Sequence, residues 1–203
     1  MLAIIDYGAG NLQSVKKALD YLGAACEITD DPHKIETARG VILPGVGSFG
    51  EAMESMHRRG LFSAVRRAAD GTRPFLGICL GQQLLFAASE ESPGAPGFGA
   101  LPGSVVKLPS DGGKRKIPHM GWNSIALQTQ EGLFAGVPQG TYVYFVHSFY
   151  VRAQNPAHIA ATTEYGAEIH AAVHSGQLWA TQFHPEKSGE AGLLMLRNFI
   201  GLC

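Results

Sequence analysis

Cys79 sits between two glycines in "PFLGICLGQQLLF", where a strand-like apolar run meets a helix-like one. A thiol at such a junction can do nucleophilic chemistry. In a Gly-x-nucleophile-x-Gly elbow, the glycines, here Gly77 and Gly81, make room where strand and helix come close. The nucleophile is then held on a strained turn with its side chain open. A helix start carries partial positive charge and free N–H groups, which favour thiolate, the attacking species. The backbone N–H of Leu80 would point to a developing oxyanion. A buried structural cysteine is the common alternative. Cys26, read as mid-strand, and Cys203, at the terminus, lack these glycines and read as inert.

A thiol nucleophile needs a base, and the base needs an orienting group. Of the eight histidines, His184 in "ATQFHPEKSG" directly follows an apolar strand, and Glu186 is two residues on. Pro185 fixes its own φ and disfavours helix at His184, so an extended segment is expected. Residues 184 and 186 then share one side. The carboxylate reaches one imidazole nitrogen and the other faces the cysteine. The spacing is equally compatible with a strand-end His beside a surface Glu. In "LPGVGSFG", Gly45 and Gly47 permit unusual backbone conformations, so the amides around Val46 and Gly47 are candidates for a second oxyanion donor. The same glycines resemble a phosphate cradle, but no Lys-Ser/Thr follows, so a P-loop is not expected.

The elements that must carry these residues are legible in the apolar pattern. Residues 2–6, 25–29, 40–44 and 74–78 read as strands. Helical patterns fill 11–22, 51–59, 62–69 and 80–88. Strand–helix alternation predicts a doubly wound α/β three-layer sandwich with a mostly parallel sheet. Its carboxyl edge would gather the elbow, the glycine loop and His184. After residue 103 the pattern changes to "SVVKL", "NSIAL", "TYVYFVHSFYV", "IAATTEY", "AAVHS" and "LWATQF", read as antiparallel additions, with a closing helix at 190–200. Residues 92–103 read as a loop and "PHMGWN" as another.

The 203 residues suit a single domain, 1–203, with a core that needs no staples. Net charge is −1, so no nucleic-acid footprint is expected. The one basic cluster, Lys114-Arg115-Lys116, reads as a solvated loop. Three cysteines without a CxxC suggest no disulfide framework and no metal site. "MLAIIDYGAG" lacks a basic leader and no run is long enough to span a membrane, so a cytoplasmic protein is expected. Charged residues are 16%, against roughly 25% on average, a hint that a stable partner covers part of the surface.

Taken together, Gly77-Ile78-Cys79-Leu80-Gly81-Gln82-Gln83 and His184-Pro185-Glu186 resemble the class I glutamine amidotransferases, which pair G-x-C-x-G-x-Q with a late H-P-E. "DYGAGNLQSV", "LPGVGSF", "IPHMGWN", "YFVHSFY" and "ATTEYG" are similar to the glutaminase subunits of imidazole glycerol phosphate synthase, in histidine biosynthesis. This resemblance runs from Asp6 to about Ser188. Gln82 stands where many relatives carry Met, at a helix position expected to be exposed and without consequence.

The resemblance implies that Cys79 is the nucleophile, His184 the general base and acid, and Glu186 the orienter. It places the oxyanion hole at Leu80, Val46 and Gly47. It places L-glutamine against Gly47 and Gln83, with His147, Ser148 and Phe149 on the α-amino and carboxylate groups through main-chain contacts, and Glu91 on the ammonium. No cofactor or metal is implied. The implied partner is a separate (β/α)₈-barrel cyclase, forming a heterodimer, to which ammonia passes by a dry path. Asn11, Met120, Trp122 and Lys187 are the expected docking residues, although Met and Trp in a loop would otherwise fill core. The open alternatives are a glutaminase subunit of another synthase (pyridoxal phosphate, anthranilate or guanylate), a partnerless cysteine hydrolase, and an inactive binding module.

Overall fold

The computed structural model describes residues 1–110, 112 and 115–203. Asp111, Gly113 and Lys114 lie outside the described residues, so the basic cluster can be placed only for Arg115 and Lys116, both exposed.

The first half follows the expected alternation. It runs β1 (Leu2–Ile5), α1 (Leu12–Tyr21), β2 (Cys26–Thr29), α2 (Pro32–Thr37), β3 (Gly40–Gly45), α3 (Phe49–Arg58), α4 (Phe62–Ala68), β4 (Phe75–Cys79) and α5 (Leu80–Gln83). Every residue of β1, β3 and β4 is buried, as expected of parallel strands covered on both faces. Their side chains alternate between two cores. Ile5, Val41, Leu43 and Phe75 pack with Ile35, Met53, Met56 and Val65 of α2, α3 and α4. Ile4, Ile42, Leu76 and Ile78 pack with Val15 and Leu19 of α1 and with Met195, Leu196 and Phe199 of the last helix, α6 (Gly189–Leu202).

The second half contains β5 (Gly103–Lys107), β6 (His119–Ser124), β7 (Ala126–Leu127), β8 (Tyr142–His147), β9 (Phe149–Ala153), β10 (Ile159–Glu164), β11 (Glu168–Ser175) and β12 (Leu178–Thr181). The main sheet has eight strands in the order β2-β1-β3-β4-β12-β11-β10-β7. β11, β10 and β7 add antiparallel, as expected. β12 differs. It runs parallel to β4, with Leu178 opposite Phe75 and Thr181 opposite Ile78. That register brings the residues following β12 to the same edge as Cys79.

Three local expectations are corrected. The helix expected over 80–88 ends at Gln83, because the chain beyond it is drawn into pairing with the returning segment. Phe86 bridges to Leu101, and the carbonyls of Leu84 and Leu85 accept from Phe98 and Ala100. "TYVYFVHSFYV" is not one strand but β8 and β9, broken at Ser148; each belongs to its own two-stranded ribbon, β6–β8 and β5–β9. "PHMGWN" is not a loop. It enters β6, whose alternation buries His119 and leaves Met120 and Trp122 62% and 56% exposed rather than in the core.

Candidate active site

Cys79 ends β4 with φ 56° and ψ −109°, the one non-glycine at positive φ among the described residues. An L-residue there is strained and persists only because its surroundings fix it. The glycines explain how the turn closes. A Cβ on Gly81 would run into the Leu43 carbonyl oxygen, and one on Gly77 would stand 2.8 Å from the Gly81 carbonyl oxygen. With α5 only one turn long, the macrodipole invoked from the sequence is largely absent. What remains are the orphan N–H groups of its first turn.

Cys79 is 7% exposed. It lines a pocket of about 260 Å³ with Val46, Gly47, Leu80, Gln83, Glu91, Val146, His147, Ser148 and His184. Of the residues expected to bind glutamine, only Phe149 is absent from this lining. Its carbonyl is taken from behind, accepting from His147 Nδ1 and Gln83 Nε2 at 2.9 Å each. Glu91 is half-buried, and its Oε2 accepts from the Phe49 N–H at 2.7 Å. One oxygen thus caps α3 while the residue still faces the pocket.

His184 and Glu186 meet, but not through an extended segment. Pro185–Lys187 forms a 3₁₀ turn, which folds the carboxylate back onto the ring. His184 Nδ1 donates to Glu186 Oε1 at 2.8 Å, and the two side chains are 3% and 1% exposed. This leaves Nε2 for Cys79, across the pocket. Nε2 makes no geometrically complete hydrogen bond, but the two groups are electrostatic neighbours. Burial alone would lower the His184 pKa. The Cys79 thiolate and the Glu186 carboxylate outweigh it and hold the imidazolium up to about 10.

Sequence reasoning missed several side-chain roles here. Gln182 is fully buried. Its Oε1 accepts from Gln83 Nε2 at 3.1 Å and its Nε2 lies 3.7 Å from Cys79 Sγ. Gln82 is also fully buried, not exposed, and its Nε2 donates to the His170 carbonyl at 3.1 Å. A row of neutral rings lies behind the pocket. Phe149 O can only accept, so His147 carries its proton on Nδ1. His147 Nε2 therefore accepts from His119 Nδ1 at 3.0 Å. Burial depresses both histidines, His119 to about 4 and His147 to about 3, the latter also through His119. Tyr7 sets its buried hydroxyl beside Gly45, and burial, then Cys79, push its pKa well up. Tyr7, Gln82, His119 and Gln182 lie in stretches read for other residues, and His147 was expected to act through its main chain; tertiary pairing buries their side chains.

Of the expected docking residues, Met120 and Trp122 stand on the exposed face of the ribbon, and Lys187 reaches that face at Tyr144. Lys187 Nζ lies 5.8 Å from the Tyr144 ring centroid, and Trp122 packs edge-on against that ring at 6.2 Å. Asn11 caps α1, which packs against the 185–187 turn. Tyr144 also serves the site through its main chain. His184 N–H donates to Tyr144 O, and Tyr144 N–H donates to Ser188 Oγ, each at 3.0 Å.

A family model described as glutamine amidotransferase class-I matches residues 3–202. The chain belongs to that family. Among similar curated proteins, an imidazole glycerol phosphate synthase subunit HisH from Moorella thermoacetica is 50% identical, covering 98% of this chain and 93% of that protein. One of the same name from Geobacillus kaustophilus is 46% identical, covering 100% and 97%. Among solved structures, a glutamine amidotransferase overlays with a TM-score of 0.75 at 20% identity, covering 98% of this chain and 97% of that one. PurLQS from Thermotoga maritima gives 0.75 at 19%, covering 98% and 97%. At these identities the two structures speak for the amidotransferase fold alone.

Proposed function

We propose that this chain is the glutaminase subunit of an imidazole glycerol phosphate synthase, hydrolysing L-glutamine and passing the ammonia to a separate (β/α)₈-barrel cyclase. The carrying observation is the convergence of Cys79, His184 and Glu186 at one pocket in a chain half identical, over almost its whole length, to a HisH subunit.

Thiolate Cys79 attacks the side-chain amide carbon of glutamine. The oxyanion is held by the Leu80 N–H and an amide of the Val46–Gly47 loop; losing one such donor costs about 3–4 kcal/mol of barrier. With its pKa held up to about 10, His184 carries a proton at neutral pH and delivers it to the leaving nitrogen. Ammonia departs and a glutamyl thioester remains. Water, deprotonated by His184, attacks the thioester, releasing glutamate and restoring the sulfur. Both N–H groups of Gln83 are engaged, with Phe149 O and Gln182 Oε1, so its carbonyl oxygen is what it offers the substrate's NH₂. Glu91 and the main chain at 147–149 hold the amino-acid head.

Ammonia released into neutral water would become ammonium, which is not a nucleophile, so the docked cyclase must receive it directly. The cyclase uses it to yield imidazole glycerol phosphate and an aminoimidazole carboxamide ribotide, in the cytoplasm. The exposed Met120, Trp122 and Tyr142, with Asn11 and Lys187, form the docking face. The test is a glutaminase assay with and without purified barrel cyclase and its nucleotide substrate. Turnover is expected to be slow alone and to rise sharply with the loaded cyclase; brisk, cyclase-independent turnover would favour a partnerless hydrolase.

A further inference from the structure

We infer that Gln182 is a further catalytic residue, a fixed hydrogen-bond donor that stabilises negative charge on the Cys79 sulfur. The inference rests on the glutaminase reading above. An amide side chain can present either its oxygen or its NH₂, and here the choice is forced. Gln83 Nε2 donates to Gln182 Oε1 at 3.1 Å, so the Gln182 oxygen faces Gln83 and its NH₂ faces Sγ, 3.7 Å away. Gln83 is itself locked by its second donation, to Phe149 O. Gln182 is fully buried, and its backbone N–H is tied to Ala171 O at 2.8 Å. The donor is therefore held in place before any substrate arrives.

Apart from His184, the charged partner described above, the sulfur has one other polar protein neighbour at hydrogen-bond range among the described residues. Val146 O lies 3.8 Å away, where it accepts from the S–H of the thiol. A carbonyl oxygen repels a thiolate, whereas an N–H attracts one more strongly than it attracts a thiol. Gln182 is thus the neutral contact that favours the charged sulfur, beside the His184 imidazolium that pairs with it. It acts twice in the cycle: when Cys79 is the attacking thiolate, and when that thiolate is expelled from the thioester intermediate. α5, being a single turn, cannot supply this stabilisation as a long helix would.

The test uses Gln182→Leu, which removes the donor, and Gln182→Glu, which keeps an oxygen for Gln83 but replaces the NH₂ with a second oxygen. Both are assayed for alkylation of Cys79 by iodoacetamide at one near-neutral pH, and for glutamine turnover with the cyclase bound. Loss of a hydrogen bond to a charged group predicts alkylation and kcat lower by about 10- to 100-fold in Gln182→Leu. KM is expected to change by about twofold or less, as for an interaction made with the reacting atom rather than with bound glutamine. Gln182→Glu is expected to be slower still. Wild-type alkylation rates in a folded variant would overturn the proposal, as would a loss confined to KM. If Gln182→Leu does not fold, the same two results in Gln182→Glu decide the matter. If wild type turns over no glutamine at all, the glutaminase reading fails, while the alkylation rates still decide Gln182's effect on the sulfur.

Discussion

At the end of β4, Cys79, Leu80, Gln82 and Gln83 are 7, 3, 0 and 5% exposed, whereas Met120, Trp122 and Tyr142 on the β6–β8 ribbon are 62, 56 and 62% exposed. The elbow is closed by the chain's own contacts: backbone against backbone at Gly77 and Gly81, and amide against amide from Gln83 through Gln182 to the sulfur. The ribbon folds its inner face, with His119 and Phe145 buried, and leaves large apolar groups in water on the outer one. Covering such a side chain is worth roughly 1.5–3 kcal/mol. The contrast separates two tasks. One region is finished by folding; the other is left open by it and is the docking face proposed above.

The comparison is broken hardest by Cys79→Ala. Glutamine use by the complex should fall by roughly a thousandfold or more, while synthesis fed with free ammonia persists. Loss of both would show that the two regions are not separable. Glu186→Gln should lower turnover by roughly 10²- to 10⁴-fold with near-normal melting; unchanged kcat would remove Glu186 from the reaction. Trp122→Ala acts on the other region. Calorimetry should show cyclase binding weaker by about 2 kcal/mol, near thirtyfold in Kd, with little change in melting because the indole is exposed. An unaltered Kd and an unaltered ratio of glutamate to product would misplace the docking face.

The smallest effect concerns pH. His119 and His147 sit below the ordinary range, at about 4 and about 3, so below about pH 6.5 the unfolded chain binds protons that the folded chain refuses. Stability from these groups is present above that point and lost as pH falls. His184 is opposite in sign. Its pKa is raised to about 10, so its contribution is complete below about pH 6.5 and is lost as pH rises through its folded value. Melting temperature should therefore decline on both sides of neutrality. His119→Phe, whose ring can keep the stacking on Phe145 and Tyr165, should flatten the acid side. An identical acid slope would contradict it.

The parallel half was legible because buried parallel strands write continuous apolar runs, as in "LAII" and "GVILPG". The elbow at Cys79 was legible because glycines mark tight backbone. The meeting of His184 with Glu186 was legible from their spacing, although Pro185 opens a 3₁₀ turn where an extended segment was expected. What escaped was set by long-range pairing. β12 reads like its antiparallel neighbours, and nothing local says that it slots beside β4. The apolar run after Gln83 has helical spacing, but Phe86 and Leu101 pair instead. Gln82 and Gln182 are polar letters in apolar stretches, and only the fold shows both sealed from water.

Tyr144 turns its ring outward to Trp122 and Lys187, while its peptide groups hold His184 and Ser188. Every amino acid but proline brings the same N–H and C=O. The outer surface at this position can thus be rewritten over evolutionary time without moving the imidazole; a proline at 144 alone would take away the N–H that Ser188 holds.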